Sequence, residues 1–204
     1  MLVAGLTGSI GMGKSTLAER LRARNIPVFD ADAEVHRLYA AEAVPLIEAA
    51  FPGTTGDGKV NRQQLSAALA KDTTSFKRLE AIVHPLVRAS ERNFLREAHK
   101  WGAKVAVLEI PLLFETHADR LVDVTILASA PAAVQRQRVL TRPGMTPEKL
   151  GMLLARQASD TEKQAKADFV VDTGLSLTAT LANLDAIIDG LAIRAGTAFA
   201  RHWA

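Results

Sequence analysis

Three observations predict an α/β fold in three layers, a parallel sheet with helices on both faces. Short apolar runs alternate with stretches of helical periodicity. The first run passes through a glycine-rich turn straight into a helix. No internal repeat, low-complexity tract or linker divides the 204 residues, which suffice for one domain with inserted subdomains.

The elements follow in order. Leu2–Thr7 reads as a buried first strand, and the turn after it opens a helix over residues 14–24. A second strand over 26–29 ends on Asp30, and residues 104–110, 122–128 and 169–171 supply the rest of the sheet. Between the second and third strands lies a mostly helical insertion, 33–100, longer than a crossover needs and therefore suited to holding a substrate. Within it, Leu65, Ala68 and Leu69 form one apolar helical face, with Asn61 and Gln64 as a capping pair. Leu79, Ile82 and Val83 form another face, residues 53–59 make a turn-rich loop, and Pro85 suits the first position of a further helix.

A second insertion runs over 135–166. Thr146 and Pro147 fit an N-cap and first helical position, and Leu150, Leu153 and Leu154 give that helix an apolar face. Arg136, Arg138, Arg142 and Arg156 crowd the same region. After the last strand, Leu181, Leu184, Ile187, Ile188 and Leu191 define an amphipathic helix that packs on the sheet.

Composition narrows the functional class. Apolar residues make up 48% and charged residues 23%, a globular balance, and no apolar run approaches the roughly 18 residues of a membrane span. The apolar start, residues 1–8, has no basic flank, so a secretory signal peptide is not expected. With no cysteine there are no disulfides, thiolate metal sites or thiol nucleophile, which fits a cytoplasmic enzyme. The five histidines are scattered without zinc spacing. A net charge of +3 is too small a surplus to imply nucleic acid, and 5% aromatic content gives few stacking platforms. Small polyanions suit such a surface, and neither nucleic acid nor membrane is expected as a partner.

The chemistry starts at Gly8-Ser9-Ile10-Gly11-Met12-Gly13-Lys14-Ser15, the phosphate-loop pattern G-x-x-x-x-G-K-S, followed by Thr16. Glycines let such a loop aim backbone N–H groups at phosphate oxygens, and the helix behind adds its positive dipole end. Lys14 is placed to reach the β- and γ-phosphates of a nucleotide, and the Ser15 hydroxyl to ligate Mg²⁺. Asp30-Ala31-Asp32 ends the second strand, where the ligand crevice of an open α/β sheet lies. One carboxylate would take a proton from an acceptor hydroxyl, or either would cap the following helix; spacing alone leaves both readings open. Glu109 ends the third strand and suits a place near Mg²⁺, directly or through water. Phe114, in the apolar stretch after it, reads as core. Arg138 and Arg142 share a helical face beside the Arg142-Pro143-Gly144 turn, as in a mobile lid that closes over ATP.

Taken together these residues resemble the dephospho-CoA kinase family along nearly the whole chain. The resemblance rests on residues 5–16, on Asp30 to Asp32, on Asp57-Gly58-Lys59-Val60-Asn61-Arg62, on Leu79-Glu80-Ala81-Ile82-Val83-His84-Pro85, and on residues 111–115 and 135–157. It implies a P-loop NTPase fold with a helical acceptor-binding subdomain and a small helical lid. It implies transfer of the ATP γ-phosphate to the ribose 3′-hydroxyl of 3′-dephospho-CoA, giving CoA and ADP, the last step of CoA synthesis. By the same match Asp32 is the base, with Lys14 and Arg142 as further catalytic residues. Gly11, Met12, Gly13, Lys14, Ser15, Thr16, Arg138 and Arg142 would bind ATP, and Asp32, Arg62, His84 and Arg88 the acceptor. Mg²⁺ enters with ATP, and a monomer is expected. The chain departs from the family in three places: Ser9 stands where glycine is usual, its side chain expected to point outward; Glu109 replaces a commoner aspartate; and Thr173 replaces asparagine. The rival readings are another small-molecule kinase, such as one for nucleoside monophosphates, and a non-enzymatic nucleotide switch. A guanine-reading N-K-x-D segment, which a GTPase switch needs, is absent.

Overall fold

A computed structural model describes every residue except Lys71 and Thr73. It divides into two compact units, Met1–Phe29 with Leu95–Ala204, and Asp30–Phe94.

The first unit is built on a five-stranded sheet, β1 (Leu2–Thr7), β2 (Val28–Asp30), β5 (Val105–Glu109), β6 (Val124–Ser129) and β7 (Phe169–Asp172), in the order β2-β5-β1-β6-β7. β1 pairs in parallel with β5 and β6, and β6 with β7. All six residues of β1 are buried, which a strand achieves only where both faces of its sheet are covered. The strand's alternation fixes what covers one face. Leu2, Ala4 and Leu6 share a core with Leu17 and Leu21 of α1 (Lys14–Ala23) and with Leu184, Ile188 and Leu191 of α9 (Leu177–Ala192). α6 (Ala132–Leu140), α7 (Pro147–Leu154) and α8 (Asp160–Lys166) follow β6 in the chain. As its sequence suggested, α7 opens with Thr146 as N-cap and Pro147 inside the first turn.

The second unit carries α2 (Ala31–Leu38), α3 (Ala43–Ala50), α4 (Arg62–Leu69) and most of α5 (Ser75–Lys100) around their own core of Leu38, Ile47, Phe51, Leu65, Leu69 and Val83. Two expectations are corrected here. Residues 53–59 are not only a loop, because β3 (Thr55–Gly56) and β4 (Lys59–Val60) pair antiparallel. Asp57 (φ 51°) and Gly58 (φ 71°) supply the two positive φ angles that a tight hairpin turn requires. Nor does Pro85 open a helix: it lies inside α5. The ring removes the bond to the Ala81 carbonyl, yet Ala81 and Pro85 are both exposed, so water can satisfy that carbonyl. The apolar face of Leu79, Val83, Leu86 and Val87 runs on past the proline and holds the helix together.

Candidate active site

The phosphate loop sits where the sheet order puts it, at the C-terminal end of the central strand β1. Gly11 and Gly13 adopt left-handed φ angles of 78° and 83°. A Cβ at Gly11 would meet Val139 at 2.5 Å, and one at Gly13 would meet Thr173 at 2.9 Å, so glycine is required twice over. Gly13 is the N-cap of α1, no side chain caps the helix, and its first turn carries no acidic residue. An N-terminus of this kind presents backbone N–H groups and a positive dipole to an anion. Ser15 is exposed and Thr16 half-buried in that first turn.

Lys14 lies within this site. Its Nζ donates to Glu109 Oε1 at 2.9 Å, and Arg22 reaches Glu109 Oε2 at 3.4 Å. Parallel pairing explains the meeting: Glu109 stands beside Leu6 in the β1–β5 register, two residues before the loop. Glu109 is 4% exposed, so its charge is compensated by these two cations. Its hard oxygen and the Ser15 hydroxyl are the donor types Mg²⁺ takes.

α6 braces the loop. Gln135 Nε2 donates to the Ile10 carbonyl at 2.8 Å. Arg138 donates to the Thr173 hydroxyl and carbonyl at 3.0 and 2.6 Å, and that hydroxyl donates in turn to the Met12 carbonyl at 2.8 Å. Thus Arg138 is brought to the loop through Thr173, whereas Arg142 stays exposed just beyond the C-terminal end of α6. Phe114 is core, at 4% exposure.

Sequence reasoning missed one member of this site and misplaced another. Ser9 does not point outward: it is buried, and its Oγ accepts from the wholly buried Lys163 at 3.0 Å. Lys163 lies 154 residues away, and nothing in the local pattern of α8 marks it as inward-facing. An open cavity of about 880 Å³ beside the loop is lined by Ser9, Met12, Gln135, Gln157 and Asp160, among others.

The acceptor candidates belong to the second unit. Asp30 is the N-cap of α2, accepting from the Ala33 N–H at 2.9 Å. That leaves Asp32 exposed in the first turn without the capping task. Arg62 is exposed at the start of α4, its guanidinium 5.8 Å from the centre of the Tyr39 ring. His84 and Arg88 are four apart on α5 and so share a helical face. Arg88 donates to Glu91 at 2.8 Å, and burial nevertheless holds the Glu91 carboxyl above its usual pKa, with Arg88 opposing. Among the described residues no group of three or more His, Cys, Asp or Glu is arranged to hold a metal, and no helix is long and apolar enough to cross a membrane.

Comparisons with known proteins bear on this geometry. The family profile described as dephospho-CoA kinase matches residues 2–178. A dephospho-CoA kinase of Mesorhizobium japonicum is 56% identical over 94% of this chain and 97% of its own length. Among solved structures, a Thermus thermophilus protein superposes with a TM-score of 0.81 at 34% identity, covering 93% of this chain and 97% of the other. The dephospho-CoA kinase of Campylobacter jejuni superposes with a TM-score of 0.70 at 25% identity, covering 93% and 96%. The fold is that of the P-loop kinases, and the chain belongs to the dephospho-CoA kinase family.

Proposed function

We propose that the chain uses Mg-ATP to phosphorylate the ribose 3′-hydroxyl of 3′-dephospho-CoA, releasing CoA and ADP, as a monomer in the cytoplasm. Membership of the family over residues 2–178 carries the choice of acceptor. The loop of residues 8–15 supports the phosphate donor.

In this reading Gly11, Met12, Gly13, Lys14, Ser15 and Thr16 hold the ATP phosphates, and Lys14 offsets charge developing on the transferred group. Lys14 must exchange its bond with Glu109 for one with phosphate, and Glu109 keeps Arg22 as its partner. Mg²⁺, held with ATP by Ser15 and by Glu109 directly or through water, supplies further charge neutralisation. Asp32 accepts the proton of the 3′-hydroxyl as its oxygen attacks the γ-phosphorus and the bond to the β,γ-bridging oxygen breaks. Residues 33–100 form the acceptor subdomain, where Arg62, His84 and Arg88 hold the anionic and polar groups of 3′-dephospho-CoA. Residues 135–166 form the lid, to which Arg138 and Arg142 belong; Arg138 already stands at the loop through Thr173, and closure brings Arg142 over ATP.

The test is ADP release from Mg-ATP with 3′-dephospho-CoA, AMP, CMP, adenosine or no acceptor. Release confined to 3′-dephospho-CoA is the expected result. Preference for a nucleoside monophosphate would reject the acceptor, and acceptor-independent behaviour throughout would reject the kinase reading.

A further inference from the structure

Beside the phosphate loop lies the buried ammonium of Lys163. Lys163 is 0% exposed, on the short helix α8, whose start is fixed by a capping box between Ser159 and Glu162. Its Nζ donates to Ser9 Oγ at 3.0 Å and lies 3.0 Å from Glu115 Oε1. The same Glu115 oxygen accepts from the Ala158 N–H at 3.0 Å. Three segments distant in the chain therefore meet at one charge: the second residue of the phosphate loop, the stretch that follows β5, and residues 158–163 at the start of α8. Glu115 Oε2 is buried and has no partner among the described residues, so Lys163 and the Ala158 N–H are what compensate this carboxylate.

A solvated surface would not need such an arrangement. A buried charge is retained only with its partner and hydrogen bonds in place, and removing one member strands the other. Here the hydrogen-bond acceptor is the side chain of Ser9. A glycine at position 9 could not receive this bond.

We propose that Lys163 is a positioning residue of the phosphate loop: through Ser9 it sets the loop for the ATP phosphates, and through Glu115 it ties the loop to the stretch that follows β5. The proposal rests on the reading that this loop holds ATP. Lys163 is wholly buried and bonded to Ser9 and Glu115, so its effect passes through the loop to ATP and not to the acceptor.

The experiment compares Lys163→Met, Ser9→Ala, the double variant of both, and Lys163→Met combined with Glu115→Gln. Mg-ATP affinity without acceptor, KM for each substrate, kcat and thermal midpoint are measured. Lys163→Met is expected to weaken Mg-ATP binding by roughly tenfold, the scale of a hydrogen bond to a charged group. The acceptor KM should stay within about twofold by the same separation of sites. Adding Ser9→Ala to Lys163→Met should bring little further loss, because both remove one interaction. Adding Glu115→Gln removes the stranded carboxylate and should restore thermal midpoint but not ATP affinity. Recovery of ATP affinity together with the midpoint would reduce Lys163 to a purely structural role and overturn the proposal. So would unaltered ATP affinity in Ser9→Ala, a variant that keeps the Lys163–Glu115 pair and tests the idea even if Lys163→Met does not fold. Binding is read without acceptor, so a failure of phosphoryl transfer in the unmodified protein would sink the kinase reading separately.

Discussion

Two aspartates two positions apart, Asp30 and Asp32, receive different work from the backbone alone. Asp30 has extended φ and ψ and spends its side chain on the Ala33 N–H; Asp32 is already helical and exposed. Asp32→Asn is therefore expected to keep the fold and Mg-ATP binding while lowering turnover by roughly 10²–10⁴. Near-normal turnover in the purified variant would remove Asp32 as the base. At this scale the sequence was informative where a residue acts through its neighbours, as in the N-cap at Asn61, whose side chain accepts from the Gln63 and Gln64 N–H groups. It was silent where partners are distant: the Lys14–Glu109 pair spans 95 positions and the Lys163–Ser9 bond 154. Only strand order and packing bring those together. Ser9 is the clearest instance, since nothing local told its inward orientation from an outward one.

Among elements, α5 is the one whose local signals conflict. Its apolar periodicity asks for one long helix, whereas Pro85 asks for a break, and the continuous apolar face wins. An interior proline costs a helix about 3 kcal/mol, so Pro85→Ala should raise stability by up to that order. Urea unfolding would show it, and a loss of stability would mean that the ring packs in a way exposure does not reveal. The same helix carries Glu91, whose carboxyl burial raises despite Arg88. A carboxyl raised on folding contributes stability that is full below its unfolded pKa, about 4.3, and is lost as pH rises through the folded value. Glu91→Gln abolishes that titration. Its stability relative to the unmodified protein should therefore improve as pH rises above about 4.3 towards the folded value. Parallel denaturation series at several pH values would show this, and a pH-independent difference would contradict it. The hairpin of β3 and β4 was legible in principle from Asp57-Gly58, but its strands are two residues each, too short for any periodicity to mark.

The whole molecule consists of two units that the chain interleaves, the second inserted between β2 and the end of α5. The sheet of the first unit was legible because every strand is an apolar run and the phosphate loop marks the first of them. Strand order was not, since it depends on crossovers that leave no local trace. The proposed lid belongs to this scale as well. Arg142, exposed beyond α6, is expected to act only on closure, so Arg142→Ala should reduce kcat more than it raises the acceptor KM. A defect confined to acceptor binding would move Arg142 out of the lid role. The acceptor atom is identified by label transfer. ATP carrying an isotopic γ-phosphate is incubated with 3′-dephospho-CoA, and the product is resolved by mass spectrometry and ³¹P NMR. The label is expected in a ribose 3′-phosphomonoester on CoA, formed in step with ADP. Label in free phosphate, or on any other position of the acceptor, would contradict it.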